Sequence, residues 1–97
     1  MTDGNAEPRA ERLRAAVSRL RRELAAHPGE FPDRGIAEDE LAALTEMTGR
    51  GEPEVPRLRR SLLLIAGAVG SVSALADALA EVRHAVEEYG EPPAAGR

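Results

Sequence analysis

Between Pro56 and Tyr89 the chain carries a heptad seam that no proline interrupts. Positions 58, 61, 65, 68, 72, 75, 79, 82, 86 and 89 read Leu, Ser, Ile, Ala, Val, Leu, Leu, Val, Val and Tyr, and only Ser61 departs from apolar character. Alternating steps of three and four residues return to one side of an α-helix, so this spacing predicts a helix over 56–89. More than half of the chain's leucine, isoleucine and valine lies within it. Leu62, Leu63, Leu64 and Val69 add apolar character off the seam, as a central buried helix requires. At about 1.5 Å per residue such a helix is roughly 50 Å long.

Two shorter periodic segments precede it. Over 8–27, Leu13, Val17, Leu20 and Leu24 repeat at heptad spacing, and Pro8 suits a first helical turn because its missing N–H costs nothing there. Pro28-Gly29 stops this helix, with the His27 imidazole expected against the last carbonyls. Phe31, in the loop that follows, is expected to plug the end of the core. Over 36–48, Ala37, Leu41, Leu44 and Thr48 form a second seam, with Met47 beside it. Glu38, Asp39 and Glu40 fall in the expected first turn, where the helix dipole favours negative charge, and Gly49 and Gly51 offer left-handed C-terminal caps. The fold class read from these lengths is all-α: two shorter helices packed antiparallel along one long C-terminal helix. A single helical domain is expected over 8–90, with disordered tails at 1–7 and 91–97.

The core formers are few. Phe31 and Tyr89 are the only aromatic residues, and alanine is plentiful but small. Below roughly 100 residues so lean a core commonly needs a partner, and a homodimer in which two copies of the third helix cross would cover the apolar stretch. The residues expected at that interface are Leu62, Ile65, Gly67, Val69, Gly70, Ser71, Val72 and Leu75. Each glycine inside a helix costs about 1 kcal/mol relative to alanine, so Gly67 and Gly70 need a reason. Close helix approach is one, a break into two helices a second, and a ligand notch a third. The seam running in phase across both glycines favours a continuous helix.

Chemistry is sparse. Cysteine is absent, which removes disulfides, thiol catalysis and cysteine-based zinc sites. His27 and His84 stand 57 residues apart, so no helical histidine pair exists. No catalytic residue, metal site or cofactor is expected, and the chain reads as a non-enzyme. The run from Ser61 to Ala76 is uncharged but only sixteen residues long and holds three serines. A bilayer span needs about 20 predominantly apolar residues, so no membrane span is expected. The polar N-terminal residues show no secretory signal, and a cytoplasmic location is the default.

Net charge is −4 and unevenly spread. Residues 1–27 carry six arginines against four acids, whereas residues 28–56 carry two against eight. This asymmetry suggests pairing within the protein or between subunits. Arg12, Arg19 and Arg22, with Arg9, share one side of the first helix and form a candidate polar partner surface for an unidentified protein. The function expected is therefore a small non-catalytic protein-protein interaction module that self-associates through the third helix. The alternative is a regulatory nucleic-acid-binding protein using the arginine face. An acidic chain without lysine makes nucleic acid the weaker partner.

Two stretches carry a family likeness. The run Arg59-Arg-Ser-Leu-Leu-Leu-Ile-Ala-Gly-Ala-Val-Gly-Ser-Val-Ser-Ala-Leu-Ala76, preceded by Ile36-Ala-Glu-Asp-Glu-Leu-Ala-Ala-Leu44, resembles a family of short actinobacterial proteins of unknown function. The resemblance covers about residues 10–92, and its most specific piece is the leucine block joined to Gly-Ser-Val-Ser. It implies an all-helical protein from a high-GC genome and no particular activity.

Overall fold

Four α-helices run through the residues that the computed structural model describes, 6–50 and 53–90. They are α1 (Ala6–Ala26), α2 (Arg34–Gly49), α3 (Val55–Val69) and α4 (Ala76–Gly90), with a short 3₁₀ turn over Ser73–Leu75. Helix α1 packs on α2 and α4, and α3 packs on the same two. The ion pairs Arg12–Glu88 and Arg19–Glu81 show that α1 and α4 run antiparallel, since numbers rise on one as they fall on the other. Short connections make the remaining neighbours antiparallel as well, giving an up-down-up-down bundle. Its cross-section of 25 × 19 Å is two helices by two.

The expected single helix over 56–89 is corrected here: it is two helices of 15 residues each, α3 and α4. The chain leaves α3 at Gly70, and Val72 adopts an extended conformation. The Val72 and Leu75 amides then donate to the carbonyls of Val69 and Val72, at 2.9 Å each. Gly67, Gly70, Ser71 and Ser73 concentrate weak helix formers at this place. Burial of apolar surface favours folding back, and the helix lengths permit it. A helix of roughly 50 Å would overrun α1, which at 21 residues is about 31 Å long. Folding back matches α3 and α4 to the 16 residues of α2 and closes the core within one chain. Two short helices laid along one long one are thus replaced by four helices around a common core.

The seams themselves are where the periodicity places them. Leu13, Val17, Leu20 and Leu24 of α1 are buried, as are Ala37, Leu41, Leu44 and Thr48 of α2. Leu58, Ser61, Ile65 and Ala68 of α3, and Leu79, Val82 and Val86 of α4, join them, with Leu75 just before α4. Ala16, Ala78 and Ala85 are buried among them. Burying one leucine fully contributes about 1.5–3 kcal/mol, so the seam residues dominate stability. Ser61, the polar interruption, donates its hydroxyl to Glu40 Oε1 at 2.9 Å and so links α3 to α2.

Several local expectations change. Helix α1 starts at Ala6 and α2 at Arg34, each two residues earlier than the periodicity indicated. Glu38, Asp39 and Glu40 consequently lie beyond the first turn of α2. Gly49 is the last residue of α2 and Arg50 caps it without a left-handed conformation; Gly51 lies outside the described residues. Of the tails expected at 1–7 and 91–97, residues 1–5 and 91–97 lie outside them too, while Ala6 and Glu7 belong to α1 instead of a disordered tail. At the end of α1 it is the Arg34 guanidinium, not the His27 imidazole, that meets the last carbonyls, and the His27 amide also donates to the Leu24 carbonyl oxygen at 3.1 Å. Its guanidinium donates to the carbonyl oxygens of Leu24 (2.6 Å), Gly29 (2.8 Å) and His27 (3.0 Å). Phe31 is partly buried against the core, edge-on to the His27 ring and beneath Arg34.

Candidate interaction surface

The residues expected at a self-association surface divide sharply. Ile65, Val69 and Leu75 are buried inside the bundle and Val72 is half-buried, so these four serve packing within one chain. Leu62 is half-buried against the same core. Gly67, Gly70 and Ser71 are exposed. The two glycines differ physically. A Cβ added at Gly67 meets nothing within 4 Å, whereas one added at Gly70 would collide with the Ala66 carbonyl oxygen. Gly70 is therefore required by the turn that ends α3, and Gly67 is not required by the bundle at all.

Helix α3 exposes what the periodicity assigned to a buried collar. Leu63 is 72% exposed and Leu64 43%, and Ile36 of α2 is 47% exposed. Four consecutive apolar residues, Leu62 to Ile65, cannot share one face at 100° per residue, which is the signal in the sequence that some must point outward. Glu40 and Ser61 meet across the α2–α3 seam. Ile36 lies four residues before Glu40 and Leu64 three after Ser61, so helical spacing places both one turn farther along that seam. Beside it runs an open groove of about 460 Å³ lined by Glu40, Ala43, Met47, Arg57, Arg60, Ser61 and Leu64. Arg57 and Arg60 form no ion pair among the described residues.

The arginine side of α1 is engaged internally. Arg12 Nε donates to Glu88 Oε1 at 2.8 Å, and Arg19 spans Glu23 on its own helix and Glu81 on α4 at 2.9 and 2.7 Å. Arg9 donates to the Glu88 carbonyl oxygen and lies over the Tyr89 ring. Among the described residues Arg22 donates only to the Ser18 hydroxyl. Three of these four arginines thus join α1 to α4, which diminishes the positive field they offer to an outside polyanion.

These pairs make stability depend on pH. The hydrogen bond from Arg12 holds the Glu88 carboxyl below the ordinary glutamate range against the opposing effect of burial, with further help from the charge of Arg12 and then of His84 and Arg9. A lowered folded value means stabilisation that is fully present above about pH 4.3 and lost as pH falls through that lowered value. Thermal melts between pH 7 and pH 3 should therefore show Arg12→Ala less stable than the wild type at neutral pH, with the gap closing toward the acid end. A gap that stays constant across the series contradicts the pair. The Arg19 guanidinium is shifted upward by its hydrogen bonds to Glu81 and Glu23, so its charge persists through the whole working range.

Among the described residues no three histidine or carboxylate side chains gather to hold a metal, and no helix is long and apolar enough to cross a membrane. The described residues define an antiparallel four-helix bundle with Ile36, Leu63 and Leu64 exposed on α2 and α3 among charged neighbours. The chain belongs to a family of unknown function (DUF5955), whose model matches residues 2–90, in keeping with the resemblance carried by the leucine block. No curated protein and no solved structure matches it.

Proposed function

We propose that this bundle is a small non-catalytic interaction module that self-associates through the outer face of α3. The observation that carries the reading is Leu63, 72% exposed in the middle of a helix whose inner face is already fully used. Leu64 and Ile36 widen the apolar surface. A lone exposed leucine is ordinary, but three large aliphatics exposed on two adjoining helices, with Leu64 lining the groove, support a contact surface. Gly67 supports the same reading. It weakens α3 without serving the monomer, and a bare helix surface one turn from Leu63 lets another backbone come close.

The basis for self-association differs from a shortage of core. One chain buries nearly all of its own seam positions, with Val72 and Tyr89 half-buried, so the second copy is not needed to complete the fold. It covers the apolar face that the fold leaves outside. The expected result for Leu63→Glu is an unchanged helical circular dichroism spectrum and a stability within about 0.5 kcal/mol of the wild type, because the site is exposed. Sedimentation velocity should meanwhile show the dimer replaced by monomer. Identical sedimentation of the wild type and the variant would overturn the assignment of this face.

A further inference from the structure

We infer that the second copy covers the α2–α3 face about a twofold axis lying between those two helices, so that α3 of one copy rests on α2 of the other. The inference rests on the self-association proposed above and adds its geometry. A twofold interface must be complementary to itself. The outer surface of α3 carries Arg60, Leu63 and Gly67 at successive turns, all exposed, with Arg57 at its start. That of α2 carries Asp39, Ala42 and Glu46, also exposed at successive turns. One helix thus presents positive charge and a projecting leucine, and the other negative charge around a small alanine.

An axis between the helices and parallel to them exchanges them at unchanged height, and the Glu40–Ser61 register then sets Arg60 of one copy within a turn of Asp39 of the other. An axis centred on α3 would instead leave Asp39 and Glu46 outside the contact. Asp39, Arg57 and Arg60 form no ion pair among the described residues, so their charges are available to a neighbour, whereas Glu46 already lies 3.8 Å from Arg50. Charge complementarity of this kind fixes register and partner choice more than raw affinity, and it weakens with added salt.

The test uses two single variants of the full chain, Arg60→Glu and Asp39→Arg. Each alone places like charges at both symmetry-related contacts, so its dimer should weaken by about tenfold or more. Mixed in equal amounts, the two variants should form a heterodimer of near wild-type affinity. In that heterodimer both contacts between copies are again of opposite charge, while the charges within each copy are not. Native mass spectrometry distinguishes the heterodimer from either homodimer by mass, and circular dichroism confirms that each variant is folded. A mixture that stays as weak as its components, or a single variant with wild-type affinity, overturns this geometry and leaves the self-association reading intact. A wild type that is monomeric throughout overturns both.

Discussion

Arg34→Ala should lower the stability of the bundle by about 3 kcal/mol, a large fraction of what a domain of this size possesses. The guanidinium is the partner of three carbonyls at and just beyond the end of α1, and its Nε reaches Glu38 Oε2 at 3.2 Å. Its side chain is only 17% exposed, so water replaces these bonds poorly. Hydrogen bonds to a charged group contribute about 1.5–3 kcal/mol each, and three that share one side chain are not additive. The midpoint of thermal unfolding should fall by roughly 12–24 °C, given about 4–8 °C per kcal/mol for a domain of up to 100 residues. Arg34→Lys should recover little, since an ammonium lacks the planar fork that reaches several carbonyls at once. A loss under 1 kcal/mol for Arg34→Ala would show that the loop after α1 is held by other means.

Gly70→Ala and Gly67→Ala should move stability in opposite directions. At Gly70 the new methyl meets the Ala66 carbonyl oxygen, a backbone atom that cannot swing aside, and a cost of about 2 kcal/mol follows. The backbone dihedrals there are ordinary helical values (φ −62°, ψ −25°), so the cost is a collision and not a conformational preference. At Gly67 the methyl enters open space, and the gain in helix propensity should stabilise the monomer by about 0.5–1 kcal/mol. Urea unfolding at low protein concentration separates the two. Equal effects of one sign would contradict the turn at 70–72 and favour a helix continuing through it.

The heptad arithmetic located nearly every buried residue and yet misjudged the connectivity, for a physical reason. A seam that stays in phase across Gly70 and Val72 satisfies two helices in one core as well as one long helix, because each must turn the same residues inward. Val72 occupies a seam position in both cases, in the turn and half-buried. The discriminating signal was local: Gly67, Gly70, Ser71 and Ser73 gather where a continuous helix would need strong formers. Arg34 was not legible at all. Its role depends on how the loop over 27–33 folds, and no periodicity records a side chain that reaches ten residues back to Leu24.

The candidate surface was legible in part. Gly67 stood out as an unexplained cost within a helix, and it is exposed. An unbroken helix covered on one side only by two shorter ones would leave its apolar stretch open to a second copy, and so would draw Ile65, Val69 and Leu75 into the same interface. Once α4 covers these residues from the same chain, the large aliphatics left exposed are Leu63, Leu64 and Ile36, and the proposed surface is built on them. The arginines of α1 show the complementary lesson. Their alignment on one side of a helix reads equally as an external binding face or as a strip zipped to neighbouring carboxylates. Glu81 and Glu88, seven residues apart on α4, supply the second outcome.

Sedimentation equilibrium of the wild-type chain, over concentrations from about 1 to 100 μM, tests self-association most directly. A mass rising from 10.3 kDa toward twice that value, with the rise suppressed by Leu63→Glu, is the expected result. A constant 10.3 kDa across the whole range would contradict it.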